Sequence, residues 1–155
     1  MQKELYLENK DGESLLLWIA GYEFPDIENQ PYDSNWLNVG IEVALSKGKW
    51  TAVFPCALTT EIEQLIKWFT AIGLGQNDAN WFGFIEPNLG FDFSGTFPGD
   101  LRIRFAAEYL PEWAGKANEA SIHVYLDKPA LLQIIDSFET MLAEFPTRVD
   151  DNDAS

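Results

Sequence analysis

One histidine, His123, and one cysteine, Cys56, are all that this chain of 155 residues offers in side chains that titrate near neutrality or bind soft metals. A Cys/His metal cluster is therefore excluded, and a histidine-based triad could be built only around His123. An internal disulfide is equally excluded, and a lone thiol fits a reducing compartment. Basic residues are scarce too: Lys and Arg number 10 against 25 Asp and Glu, for a net charge of −15. No apolar run approaches the ~20 residues needed to cross a bilayer. The opening Met1-Gln2-Lys3-Glu4 is charged where a secretory leader would turn apolar, so no targeting segment is visible and a cytoplasmic, bacterial-type protein is expected. What the chain does have is apolar bulk, 46% of its residues, enough for a full core.

The scarcity of base is uneven. No Lys or Arg lies between Lys10 and Lys47, where Asp11, Glu13, Glu23, Asp26, Glu28, Asp33 and Glu42 fall. A second base-free stretch, between Lys67 and Arg102, holds Asp78, Glu86, Asp92 and Asp100. Such a field repels the phosphates of nucleic acid and the anionic surface of membranes, so neither is expected as a partner. It attracts a basic protein and speeds the encounter. Acidic surfaces also serve solubility alone, and charge by itself does not separate the two uses.

Strands dominate the hydropathy pattern. Glu4–Leu7 and Leu15–Phe24 read as the first two, with a turn at Asn9–Gly12. Glu23–Ser34, with Pro25, Pro31 and four acids, reads as an exposed loop. From Asn35 to Leu45 the residues alternate: Leu37, Val39, Ile41, Val43 and Leu45 share one face, and Trp36, Asn38, Gly40, Glu42 and Ala44 share the other. Ser46-Lys47-Gly48-Lys49 marks a hairpin turn, and Trp50–Cys56 returns as the partner strand. Further strands are expected at Trp81–Glu86, Leu89–Phe93, Leu101–Tyr109 and Ser121–Leu126, the third with Leu101, Ile103, Phe105, Ala107 and Tyr109 on one side.

Two helices interrupt them. Thr60 and Glu63 have capping-box spacing, Ile62, Leu65, Ile66, Phe69 and Ile72 recur at helical intervals, and Gly73 offers a stop. Asp127 is a candidate N-cap for a second helix with Pro129 in its first turn. Leu131, Ile134, Ile135, Phe138, Met141, Leu142 and Phe145 form its apolar stripe, and Pro146 ends it. Together these patterns predict one α+β domain over residues 1–146, with about six to eight strands in a mainly antiparallel sheet and two amphipathic helices packed on it. Residues 147–155 are expected to be an acidic, disordered tail. No internal repeat is evident, and neither the dinucleotide nor the phosphate-loop fingerprint occurs.

Four groups of residues could carry chemistry. His123 alternates with Ile122 and Val124, which favours a solvent-facing strand histidine over a general base. Cys56, after Pro55 between strand and helix, reads as a buried structural thiol. Asp78, Glu86, Asp92 and Asp100 could hold a hard cation or act as an acid/base pair, but no Ca²⁺-loop spacing is present and scattered loop acids are usually solvated. The aromatic set Tyr32, Trp36, Trp81, Tyr109 and Trp113 lies in or beside acidic segments, where Trp and Tyr can anchor a partner that the carboxylates orient. Such rings also serve simply to complete a core.

Several of these segments together resemble a known pattern. Asp33-Ser34-Asn35-Trp36-Leu37 leading into an alternating strand, Pro55-Cys56-Ala57-Leu58-Thr59, and Phe84-Ile85-Glu86-Pro87-Asn88-Leu89-Gly90-Phe91 are similar to segments of WapI-type immunity proteins, a bacterial family associated with polymorphic toxins. The strand at Leu101–Tyr109, the Pro111-Glu112-Trp113 element and a helix ending at Phe145-Pro146 complete the order, so the similarity spans Tyr32 to Pro146. The quoted residues have structural roles: Asn35 can fix the entry to its strand, Trp36 can pack beneath the loop before it, and Glu86-Pro87-Asn88 suits a turn between strands.

The resemblance implies a non-enzymatic immunity protein that blocks a cognate toxin by direct contact, with nucleases among the targets; the charge adds that the toxin is basic, and the residues present suggest no cofactor or metal. The contact surface is expected to join Asp26, Glu28, Tyr32 and Asp33 to Asp78, Trp81, Glu86 and Asp92. Two rival readings remain: a small enzyme using a carboxylate pair near Glu86 and Asp92, and an accessory scaffold subunit.

Overall fold

The computed structural model describes residues 3–115 and 117–148. Eight strands and two helices follow one another as β1 (Glu4–Glu8), β2 (Ser14–Tyr22), β3 (Trp36–Leu45), β4 (Gly48–Leu58), α1 (Thr59–Gly73), β5 (Trp81–Gly83), β6 (Leu89–Asp92), β7 (Gly99–Ala106), β8 (Glu119–Leu126) and α2 (Lys128–Glu144). The expected α+β class is met, but the strands divide into two four-stranded antiparallel sheets ordered β1-β2-β3-β4 and β5-β6-β7-β8. Each sheet is a simple meander followed directly by a helix. The chain thus repeats one topology twice, although no repeat is visible in its residues.

The β3–β4 hairpin forms where alternation placed it, with Ile41 opposite Ala52 and Val43 opposite Trp50. Leu37, Val39, Ile41 and Val43 are all buried. Each withdraws an aliphatic side chain from water, a gain of roughly 1.5–3 kcal/mol. The same continuous core takes in Leu15 and Leu17 of β2, Leu65 and Phe69 of α1, Leu101, Ile103 and Phe105 of β7, and Ile134, Phe138 and Met141 of α2. On the other face of the first sheet, Gly40 leaves room for the Trp18 indole, which occupies the space a β-carbon would take.

α2 also closes an edge. Gln133 Nε2 donates to the Tyr6 carbonyl at 2.6 Å and Ser137 Oγ to the Glu4 carbonyl at 3.4 Å. Outward-facing groups of the edge strand β1 are thus occupied, which protects an edge from pairing with another chain. At its start, Asp127 accepts the Ala130 N–H at 3.0 Å, as the N-cap expectation required.

Three local expectations are corrected. α1 starts two residues early, at Thr59, because β4 runs straight into it. Its N-cap is Leu58, whose N–H is taken by Glu61 at 2.9 Å, so Glu61 and not Glu63 completes the helix start. The helix continues through Gly73 and ends in a Schellman motif: Gln76 N–H bonds the Ala71 carbonyl, Gly75 N–H the Ile72 carbonyl, and Gly75 takes φ +67°. β5 stops at Gly83 instead of Glu86, because the Ile85 N–H leaves the strand ladder for Glu61 Oε2 at 2.8 Å. β7 stops at Ala106, since Ala107 adopts φ +53° and turns the chain into the 3₁₀ segment Ala107–Tyr109. Tyr109 is thereby buried, so it leaves the set of aromatics available to a partner.

The first two residues of the tail expected from 147 are instead bonded to the domain. Thr147 Oγ1 donates to Thr59 Oγ1 at 2.8 Å and Arg148 is bonded to the loop before β3. The rest of the expected tail, 149–155, lies outside the described residues.

Candidate interaction surface

The acidic loop between β2 and β3 is built by its own backbone. Ile27 N–H bonds the Phe24 carbonyl, Ser34 N–H the Gln30 carbonyl, and Asn35 N–H the Tyr32 carbonyl. Buried Ser34 returns a bond from its hydroxyl, accepting the Gln30 N–H at 2.8 Å, while Asn35 Nδ2 donates to the Pro31 carbonyl at 2.8 Å. These bonds answer the loop's polar backbone internally and leave Asp26, Glu28, Tyr32 and Asp33 in solvent, with Tyr32 60% exposed. The entry role expected of Asn35 is present.

A second segment meets this loop. Ile85 is tied to α1 through Glu61, and the following Glu86 lies close enough to Glu23 for their charges to repel. Burial, then Asp33, then Glu86 push the Glu23 carboxyl above its ordinary value. Glu23, Asp33 and Glu86 thus come from three places in the sequence to one acidic neighbourhood, at a cost in repulsion. Ile85 stands beside it with 66% of its surface exposed. Neither Glu23 nor Ile85 was among the residues expected from sequence. The signal for Ile85 was its place between Phe84 and Glu86 in a turn-forming segment, where an apolar side chain has no strand face to hide on.

The remaining expected residues sit at the other end of the β5–β6 hairpin. Trp81, 61% exposed, pairs across the hairpin with Asp92. Asp78 and Trp81 line a shallow recess of about 460 Å³, together with Gln64, Lys67, Trp68 and Phe82. Trp68 fixes its rim by donating from its indole to the Ala79 carbonyl at 3.0 Å. Asp92 itself accepts from Arg102 at 3.2 Å and from Arg104 Nε at 2.6 Å, and the Arg104 guanidinium lies over Gly90. Glu86, in the turn, and Asp92, opposite Trp81, therefore occupy opposite ends of the hairpin. The close carboxylate pair that an enzyme reading requires is not assembled from them.

The two sole residues of their kind are both engaged. His123 is exposed, with Nδ1 2.8 Å from Asp100 Oδ2 and its backbone carbonyl receiving Asn9 Nδ2 at 3.0 Å. They lie in a cleft of about 580 Å³ between the β1–β2 turn and β8. Cys56 is fully buried 3.3 Å from the Tyr109 hydroxyl, and burial pushes its thiol up to about 12. Among the described residues, no group of three or more His, Cys, Asp or Glu side chains could hold a metal ion, and no helix is long and apolar enough to cross a membrane.

Arg102 and Arg104 are spent on carboxylates of the second sheet, whereas Arg148 brings one positive charge to the neck of the loop. Arg102 binds Asp92 and Glu119, Arg104 binds Asp92, and Arg148 donates to backbone carbonyls. A cationic side chain arriving at the loop from outside would meet carboxylates held without a basic neighbour in their own segment of sequence.

Comparison with known proteins identifies a family. A solved structure of the plant transcriptional regulator PBF-2 is similar at a TM-score of 0.41 and 14% identity, covering 96% of this chain and 89% of that one. No curated protein matches in sequence. The immunity protein WapI-like family matches residues 6–146, nearly the whole described chain and every segment that carried the resemblance, and the chain belongs to that family.

Proposed function

We propose that this chain is an immunity protein that neutralises a cognate toxin by direct, non-catalytic contact, and that the toxin presents a basic site. Membership of the WapI-like immunity family is the observation that carries the reading. The physical support is the joining of Glu23, Asp33 and Glu86 beside exposed Tyr32 and Ile85. Interfaces anchor on exposed aromatic and aliphatic side chains and are oriented by charge around them, which is the composition found here. Carboxylates that repel one another in the free protein gain when a cation is placed among them, so the cost borne in isolation is returned on binding. A nuclease, whose active site must attract phosphate, is the toxin class this charge fits best.

Co-expression provides the test. The candidate toxin domain is to be sought in the open reading frames adjacent to this gene. Its expression alone should arrest growth, and co-expression of this chain should restore growth and yield a stable complex on purification. Growth arrest undiminished by the chain, with no complex recovered, would defeat the reading.

A further inference from the structure

The loop that carries Asp26, Glu28, Tyr32 and Asp33 is closed at its neck by a residue far away in sequence. Arg148 donates from Nη2 to the Phe24 carbonyl at 2.9 Å and from Nη1 to the Pro25 carbonyl at 2.8 Å, where the loop begins. From Nε it donates to the Ser34 carbonyl at 2.6 Å, where the loop ends, and its own N–H reaches Asn35 Oδ1 at 2.8 Å. The guanidinium also stacks on Tyr22, 3.8 Å from the ring centroid. Tyr22 in turn donates to the Pro146 carbonyl at 2.5 Å and meets Phe145 edge-on, which fixes the chain on the approach to Arg148.

A planar fork with several fixed donors can hold carbonyls from both ends of a loop at once, and stacking on an aromatic ring sets the plane of that fork. A lysine offers a single point of charge and cannot do both. Arg148 also lies beyond the family match at residues 6–146, so nothing in the family assignment gives it a role.

We infer that Arg148 is the positioning residue of the acidic loop: it clamps the loop's neck and so holds its carboxylates and Tyr32 in the arrangement that meets the partner. This rests on the reading of the loop as the contact surface, and the test separates the two. In the free full-length protein, hydrogen exchange reports the amides of Ile27, Ser34 and Asn35, each of which closes a bond within the loop. Arg148→Ala should speed their exchange by about tenfold or more while α1 and the β7–β8 pair stay protected. Arg148→Lys should do the same. Unchanged loop exchange, an equal increase across the whole protein, or full protection in the lysine variant would each overturn the clamp.

The binding arm uses the toxin domain recovered by co-expression. Arg148→Ala should weaken its binding as much as neutralising Asp26, Glu28 and Asp33 together. If the triple substitution weakens binding and Arg148→Ala does not, the positioning role is wrong while the surface stands. If the triple substitution changes nothing, the surface assignment fails, and the exchange data still judge the clamp.

Discussion

The Tyr109 hydroxyl bonds the Val39 carbonyl in the middle of β3 and stands 3.3 Å from the Cys56 thiol of β4. One side chain at the end of the second sheet thereby reaches two strands of the first. The Tyr109 carbonyl completes the joint by accepting the Trp50 indole N–H at 2.8 Å. Tyr109→Phe keeps the ring and removes the hydroxyl, leaving a buried carbonyl without that donor. The expected loss is about 1–3 kcal/mol of unfolding free energy, read from urea denaturation. A variant as stable as the parent would show that the hydroxyl does not join the sheets.

The same joint silences the thiol. With its value pushed up to about 12 by burial, Cys56 holds almost no thiolate at pH 8. A disulfide reagent such as Ellman's should leave the native protein unmodified over hours and label one thiol at once in denaturant. Fast labelling of the native protein would contradict the burial described.

Glu61 is the second joint, bonding the N–H groups of Leu58 and Ile85 with its two oxygens. Glu61→Ala strips both donors of their partner and releases the Phe84–Asn88 turn from α1. A loss of about 2–4 kcal/mol is expected from two such bonds, again by denaturation. A loss under about 0.5 kcal/mol would mean that the turn is held by other contacts.

Two raised carboxyls make stability depend on pH above 4.5. Burial is the main cause at both Glu61 and Glu23, joined at Glu23 by repulsion from Asp33 and Glu86. A folded value above the unfolded 4.5 means that the native state holds the proton more tightly. The associated stability is complete below 4.5 and is lost as pH rises through the raised folded values. Glu108 is shifted the other way by its bond from Asn88, so its contribution is lost only as pH falls through a value below 4.5. The melting temperature should therefore rise as pH is lowered from 7 to about 5, and Glu23→Gln should flatten that slope. A melting temperature that falls over the same range would contradict the assignment.

What could be read from the residues was what neighbouring residues decide. Period-two alternation placed β3, β4 and the buried face of Leu37 to Val43, and Asp127 with Pro129 placed the start of α2. The failures share one cause, a distant group competing for a local one. Glu61 drew Ile85 out of its strand, and Tyr109 turned inward to meet Val39 and Cys56. Arg148 turned the start of an expected tail into part of the loop's support. The division into two sheets was equally hidden, since a meander of four strands looks the same in sequence whether it extends a sheet or ends one. For the candidate surface, the loop acids were legible by composition. That Glu86 joins them and that Asp92 is turned to two arginines depended on the fold.

Steering of a basic toxin by the acidic loop is read out by stopped-flow association with the co-expressed toxin domain. The association rate should fall by about tenfold or more between low salt and ~0.15 M, as screening shortens the reach of the charges. At low salt, replacing Asp26 and Asp33 with Asn and Glu28 with Gln together should bring a similar fall while the melting temperature is kept. An association rate indifferent to both salt and the triple substitution would contradict the account.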